Sequence, residues 1–344
     1  MSSPRIVAPS PHIHAGTSTR TLMWWVNLAL LPLVITSVAV FGLRSLVVIL
    51  TAVAACMLTE YILARFVLKK QVLVEDGSAI VTGILLAANL PVTIPFYQVI
   101  LGSVVAIGIG KMAFGGIGHN PFNPALVGRT FLLVSYPVEM TTWSPPGFRL
   151  WTTMSDVVST ATPLGVVAEG PATEIFSNLP GYWELFWGNV GGTLGGVGVF
   201  AMLIGAVILL AKRIIDWQTP AAFLGGLILI TGIAWLADPG EFINPLYHVL
   251  AGGAMLGAVF MVTDYTTSPM TMAGRMVFAG GAGVLTAVIR LFAALPDGVA
   301  YAILVMNALV PLIDRGFPPR RFGKPWTPPE PAAAGSTQQE RAHV

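Results

Sequence analysis

Ten apolar runs, each long enough to cross a lipid bilayer, dominate this sequence and restrict the folds open to it. A spanning helix needs about 17–25 residues of this kind. We place the ten segments at residues 22–42, 45–68, 78–95, 96–114, 121–137, 188–211, 217–236, 245–263, 274–294 and 298–314. Only 10% of the residues are charged, against about 25% in soluble domains. The sequence therefore predicts an all-α polytopic membrane protein of about ten transmembrane helices.

Lysine and arginine side chains are unevenly distributed between the loops. The N-terminal arm (residues 1–21) and the segment 315–344 lie on the same side after ten crossings, and both are basic. Lys69–Lys70, Lys111 and Lys212–Arg213 fall at the ends of even-numbered segments, which is this same side. The positive-inside rule then predicts that both termini are cytoplasmic. The Pro- and Gln-rich composition of the C-terminal tail predicts disorder.

A polar interval, residues 138–187, divides the apolar segments into two groups of five, at 22–137 and 188–314. Because five is odd, the second group enters the membrane from the opposite side, and related halves would form an inverted repeat. The third and fifth segments are short and interrupted by Pro or Gly, which predicts broken or re-entrant helices. The glycines of GNVGGTLGGVG (188–198) have the spacing of residues that bring helices close together.

The interval 138–187 follows the fifth segment and is predicted to be extracytoplasmic. It contains DVVSTATPLG (156–165), a stretch rich in Asp, Ser and Thr. We assign no helix-capping role to this stretch. Loops of about this length, roughly 50 residues, are usually functional or disordered. Nothing in these residue types alone separates a chemical role from an ordinary Ser/Thr-rich surface loop.

Several polar residues lie in or beside the apolar segments, where ionisable groups indicate functional sites. Those we select as candidate ion or ligand sites are Glu60, Asp76, Asn120, Asn123 and Asp264. Two of these residues also have a structural interpretation. Asp76 is positioned to cap the third helix, and Glu60 could pair with a basic residue. NPFNP (120–124) frees backbone groups from helical bonding, which favours a ligand-facing role. One cysteine and scattered histidines predict no metal site in this chain.

The segments EDGSAIVTGILLAANLP, FGGIGHNPFNPALVGR and DVVSTATP, in this order, resemble the D subunit of Rnf electron-transport complexes. The resemblance covers roughly residues 12–316. It implies a urea-channel-like fold of two inverted five-helix halves in the bacterial cytoplasmic (inner) membrane. The B subunit of the sodium-pumping NADH:quinone oxidoreductase shares the pattern, although its N-terminus is usually longer.

Members of this family carry FMN bound to a threonine through a phosphoester, attached by a flavin transferase. The resemblance implies that Thr162 is the acceptor, with Asp156, Ser159 and Ala161 as matching motif residues. Thr160 stands where the family usually has glycine, and its hydroxyl is a minor alternative acceptor. The family is also associated with a noncovalent riboflavin, for which NPFNP and TTSPMT (266–271) are the candidate segments.

The function implied is that of a flavin-carrying membrane subunit in an ion-translocating ferredoxin:NAD⁺ oxidoreductase. Electrons would pass through the covalent FMN, coupled to movement of Na⁺ or H⁺, and the chain alone would not be active. Its partners would be the other subunits of the complex, the flavin transferase and membrane lipid, with no nucleic acid. The alternatives are the B-type subunit of the quinone-reducing complex and a solute channel or transporter of the same fold.

Overall fold

The computed structural model describes residues 18–69, 74–148, 161–167, 179–196, 198–293 and 298–319. Within these ranges every regular element is helical. The α-helices are α1 (Thr19–Phe41), α2 (Leu43–Ile62), α3 (Ser78–Ala88), α4 (Phe96–Gly108), α5 (Pro124–Ser135), α6 (Pro137–Met140), α7 (Pro163–Val167), α8 (Tyr182–Trp187), α9 (Val199–Ala211), α10 (Gln218–Ala237), α11 (Pro245–Leu250), α12 (Ala254–Leu256), α13 (Met272–Phe292) and α14 (Val299–Gly316). π-helical turns at Leu63–Val67 and Gly257–Met261 continue α2 and α12.

Six helical segments among the described residues are long and apolar enough to cross a membrane. They are Thr19–Phe41, Leu43–Val67, Phe96–Phe114, Gln218–Ala237, Met272–Phe292 and Val299–Gly316. The apolar helices α3, α5 and α9 are shorter. The class of all-α polytopic membrane protein is confirmed, and the third and fifth segments are short, as the sequence indicates. Segments 188–211 and 245–263 are not single helices, so that part of the prediction is wrong.

The third segment is a helix only as far as Ala88, and its second part, residues 89–95, is not helical. Backbone polar groups inside a membrane protein need partners other than water. The buried guanidinium of Arg44 supplies them, since its Nε and Nη2 donate to the carbonyl oxygens of Val92 and Thr93, each at 2.8 Å. Arg44, in the first turn of α2, thus supports the break in the helix.

The glycine-rich segment before α9 lies against this break instead of forming the start of a helix. The amide of Leu194 donates to the carbonyl of Leu90 at 3.0 Å, and the amide of Gly195 to that of Ala88 at 2.7 Å. A Cβ on Gly195 would lie 2.5 Å from the Cβ of Ala88, so only glycine fits. The glycines do permit a close approach, but between non-helical backbone and the end of α3.

The two halves repeat the same packing order. In the first half α2 packs against α4 and α4 against α5; in the second, α10 packs against α13 and α13 against α14. Each half also contains a short helix that ends at an arginine-supported break. In the second half Arg290 donates to the carbonyl oxygens of His248 and Ala251, at the end of α11. The division into two related five-helix halves stays a prediction.

Candidate functional sites

Thr162 caps the short helix α7. Its Oγ1 accepts a hydrogen bond from the amide of Gly165 at 2.9 Å, and its carbonyl oxygen accepts one from the amide of Val166, also at 2.9 Å. The sequence-based statement that this stretch has no capping role is therefore wrong. Ala161 beside it is exposed, while Asp156, Ser159 and Thr160 lie outside the described residues.

A cavity opens beside this threonine; its enclosed volume is about 50 Å³, and the free space is about 440 Å³ when open solvent is included. Its walls come from four parts of the chain, and we call it the Thr162 cavity: Trp143, Thr162, Pro163, Leu164, Val190, Gly191, Gly192, Thr193, Gly196, Gly252 and Gly253. The glycines keep this space free, since a Cβ on Gly196 would lie 2.5 Å from the Oγ1 of Thr193. The lining combines a threonine, an aromatic side chain and glycine backbone, which suits a flat aromatic group tethered to Thr162.

The Thr162 cavity lies towards the end of the molecule at which α1 finishes. The amide of Gly147, four residues from Trp143, donates to the carbonyl of Val40 in the last turn of α1 at 3.0 Å. The opposite end of α1 carries the exposed ion pair between Arg20 and Glu75, at 3.5 Å. We call these the α1-end face and the α1-start face.

A second cavity lies between the two halves; its enclosed volume is about 90 Å³, and the free space is about 740 Å³ when open solvent is included. We call it the Lys111 cavity; its lining is Met23, Val26, Ser78, Val81, Thr82, Leu85, Lys111, Ile117, Asn120, Asn123, Pro124, Ala125, Leu209, Ile214, Ile215, Phe260, Thr263, Asp264, Tyr265 and Thr266. Apolar walls with a few convergent polar groups are typical of cofactor sites. Its polar residues come from the start of α3, the NPFNP turn and the turn after α12, so both halves are needed to form it.

The NPFNP turn is bound to the second-half turn 264–267 by side-chain hydrogen bonds. Asn120 Nδ2 donates to Thr266 Oγ1 at 3.0 Å, and Thr266 Oγ1 lies 3.1 Å from Asp264 Oδ1. Asn123 Oδ1 caps α5, accepting from the amides of Ala125 and Leu126. The structure thus brings Asn120, Asn123 and Asp264 together at one cavity.

Lys111 forms the other polar wall, and it is 3% exposed. Its Nζ donates to both carboxylate oxygens of Glu60 at 2.8 Å and to Ser78 Oγ at 2.6 Å. Ser78 Oγ in turn donates to Asp76 Oδ1 at 2.6 Å. Glu60 and Asp76 therefore reach the same cavity indirectly, through Lys111 and Ser78.

Almost the whole chain matches one protein family in sequence. The sequence profile of the NQR2, RnfD, RnfE family aligns with residues 6–323. The chain belongs to this family. The D subunit of the proton-translocating ferredoxin:NAD(+) oxidoreductase complex of Clostridium ljungdahlii is 41% identical over 322 residues, which cover 92% of this chain and 96% of that protein.

Two further relatives have similar coverage. The D subunit of the Na(+)-translocating ferredoxin:NAD(+) oxidoreductase complex of Acetobacterium woodii is 40% identical over 92% of this chain and 95% of its own length. The D subunit of the ion-translocating oxidoreductase complex of Cronobacter sakazakii is 39% identical over 92% of this chain and 98% of its own. The resemblance drawn from the three sequence segments is confirmed at the level of the family and of these relatives.

The sequence analysis did not identify Lys111 as a candidate site residue. Its position at the end of an apolar run indicated an interfacial charge under the positive-inside rule. The structure buries it against Glu60 of α2 and Ser78 of α3, elements far apart in sequence. A signal was present, since Glu60 inside an apolar helix needs a cationic partner and Lys111 is the basic residue that closes the fourth segment.

Proposed function

We propose that this chain is the flavin-carrying membrane subunit of an ion-translocating ferredoxin:NAD⁺ oxidoreductase, where it passes electrons between neighbouring subunits. The support is the family membership and the names of relatives about 40% identical over almost the entire chain. The two cavities match this role, because each combines apolar walls with a small set of polar groups. As part of such a complex the chain contributes to an oxidoreductase that also translocates an ion.

The observation that carries the flavin assignment is that Thr162 lines a cavity whose other walls are rich in glycine. The Thr162 hydroxyl oxygen accepts the bond from Gly165, so the hydroxyl proton is not used in capping. Attachment forms a bond between this oxygen and the phosphorus of the FMN moiety of FAD, breaks the pyrophosphate bond, releases AMP and transfers the hydroxyl proton to a base. A flavin transferase supplies the metal and the positioning for this step. The bound flavin supplies one-electron transfer.

A noncovalent riboflavin is assigned to the Lys111 cavity. Asn120, Asn123 and Thr266 present amide and hydroxyl groups there, and Phe260 provides an aromatic wall. This donor and acceptor set fits the polar edge of a flavin, while the apolar walls fit its ring system. The protein's part is to orient the ring and to exclude water from it.

The location and partners follow from the same proposal. The protein is a multi-pass protein of the bacterial cytoplasmic membrane, with the α1-start face and both termini in the cytoplasm and the Thr162 loop outside. Lipid and the other subunits cover the exposed apolar side chains on the long helices, such as Ile35, Leu58 and Leu229. The family's alternative, a B-type quinone-reducing subunit, would have different neighbours.

Ion handling is assigned to the carboxylates near the Lys111 cavity. Asp264 faces the cavity directly, whereas Glu60 is engaged by Lys111 and Asp76 by Ser78. Replacing Glu60, Asp76 and Asp264 singly by Ala should lower Na⁺ or H⁺ uptake into vesicles at a fixed rate of electron transfer. Unchanged uptake in all three variants would remove these residues from the coupling mechanism.

The functional test is electron transfer by the purified complex from reduced ferredoxin to NAD⁺, with and without the Thr162 hydroxyl. Thr162→Ala should remove nearly all of the activity while the complex remains assembled, and Thr160→Ala should retain it. Full activity in the Thr162→Ala complex would contradict the proposed electron route. A complex that neither binds flavin nor transfers electrons, but conducts a solute, would favour the channel alternative.

A further inference from the structure

A continuous chain of hydrogen bonds connects the α1-start face with the Lys111 cavity. It begins at Asp76, which is partly exposed and lies beside the surface residue Glu75. It continues through Ser78 Oγ, 2.6 Å from Asp76 Oδ1, and ends at Lys111 Nζ, 2.6 Å from the same hydroxyl. Ser78 is 5% exposed and Lys111 is 3% exposed, so the last two members are enclosed by protein.

Each group in this chain is of a type that can pass a proton onwards. The Ser78 hydroxyl is both donor and acceptor, and it stands between a carboxylate and an ammonium group. Ser78 and Lys111 both line the cavity. A buried ion pair that served stability alone would need only Glu60 and Lys111. The hydroxyl and the surface carboxylate extend this pair to solvent.

From this arrangement we propose that Asp76, Ser78 and Lys111 form a proton relay into the Lys111 cavity. The inference rests on the proposed function, in which that cavity holds a redox-active flavin. Lys111 lines the cavity and holds the proton that a group reduced there would take, and on giving it up Lys111 becomes a neutral amine. The Ser78 hydroxyl then rotates and donates its proton to Nζ, and its oxygen takes in exchange a proton that water delivers through the Asp76 carboxylate.

Four charged or titratable groups lie near Lys111, and they influence proton transfer through the relay. Glu60 on α2 binds Nζ directly, and the Cys56 thiol lies one turn earlier on the same helix, close enough to interact with its charge. Asp76 reaches Nζ through Ser78, and Asp264 faces it from the second half across the cavity. Glu60 is the counter-charge of Lys111, with 2.8 Å between Nζ and a carboxylate oxygen.

The test follows proton uptake when the flavin in the cavity is reduced by light in the absence of NAD⁺. It uses the purified complex in lipid nanodiscs on a Thr162→Ala background, so that the only flavin bound by this chain is noncovalent. A pH-indicator dye in weakly buffered medium reports protons, and flavin absorbance reports electrons. The variants are Ser78→Ala, Asp76→Asn, which retains an oxygen for the Ser78 amide, and Ser78→Thr, which retains the hydroxyl. Thr59→Ala, which removes a hydroxyl bonded only within α2, is the matched control.

We expect Ser78→Ala and Asp76→Asn to slow proton uptake by roughly 10²-fold, the lower end of the effect of losing a positioned proton-transfer group. Thr59→Ala should behave like the parent protein, and Ser78→Thr should recover proton uptake relative to Ser78→Ala, with uptake compared per bound flavin. Flavin at parent levels with undiminished proton uptake in Ser78→Ala overturns the relay and leaves the proposed function intact. Absence of noncovalent flavin from the parent overturns both the relay and the riboflavin assignment, but not the covalent FMN.

Discussion

The ion pair between Glu60 and Lys111 shows that the role of a single residue can differ from the one its sequence position indicates. Glu60 was identifiable because a carboxylate in an apolar helix is unusual, and a structural pair was one of its two interpretations. Lys111 was not, because a lysine at the end of an apolar run is the ordinary signal of a membrane interface. Only the fold brings these two residues, 51 positions apart, within 2.8 Å.

Replacing one partner of this pair should destabilise the protein more than replacing both. Lys111→Met leaves a buried carboxylate without its counter-charge, which costs about 3–5 kcal/mol in comparable cases. Glu60→Gln combined with Lys111→Met removes both charges and should recover a large part of that loss. Thermal unfolding of the detergent-solubilised chain, followed by a thiol-independent dye, measures the difference. A double variant no more stable than Lys111→Met would show that the pair's charges are not the cause.

Two asparagines offer a test that separates capping from ligand binding. Asn123 caps α5 at the Lys111 cavity, and Asn244 caps α11 outside its lining, accepting from the amide of Leu246 at 2.9 Å. Either change to Ala should cost about 1 kcal/mol of stability through the lost cap. Only Asn123→Ala should also lower the amount of noncovalent flavin, measured after acid release and chromatography. Equal flavin content in the two variants would contradict the placement of riboflavin in this cavity.

At the scale of elements, hydropathy locates the apolar segments but does not show where they stop being helical. The spans 78–95, 188–211 and 245–263 are apolar enough to be read as helices, yet each contains non-helical backbone. Long-range hydrogen bonds permit the breaks. Arg44 donates to carbonyl oxygens after α3, and the amide of Gly195 donates to the carbonyl oxygen of Ala88. These partners are more than 40 residues distant, so no local pattern could indicate them. The short third and fifth segments were predictable because their Pro and Gly interruptions are local.

The packing of α10 against α13 provides a prediction with a control on the adjacent residue. A Cβ on Gly226 would collide with the carbonyl oxygen of Gly280, whereas a Cβ on Gly225 would meet nothing within 4 Å. Gly225→Ala should raise stability slightly, since alanine is favoured over glycine in a helix by about 0.8–1.0 kcal/mol. Gly226→Ala should lower it by about 1–3 kcal/mol through overpacking. Equal melting temperatures for the two variants would contradict this helix contact.

On the scale of the whole molecule, the two cavities lie towards opposite faces, and their order across the membrane is open to direct measurement. The one cysteine, Cys56, is buried, so an introduced cysteine can be labelled alone. Gly181→Cys, on the exposed start of α8, should react with a membrane-impermeant maleimide in intact spheroplasts. Glu75→Cys on the α1-start face should react only after the membrane is opened. The reverse pattern would invert the proposed orientation and place the Thr162 loop in the cytoplasm.

The most direct test of the central claim is the mass of the peptide that contains Thr162. The chain is purified from cells with an active flavin transferase, denatured, separated on a gel and inspected for flavin fluorescence before proteolysis. We expect a fluorescent band with one FMN phosphoester on Thr162, lost in Thr162→Ala and retained in Thr160→Ala. A non-fluorescent band with an unmodified Thr162 peptide would contradict the assignment of this chain as a covalent flavin carrier.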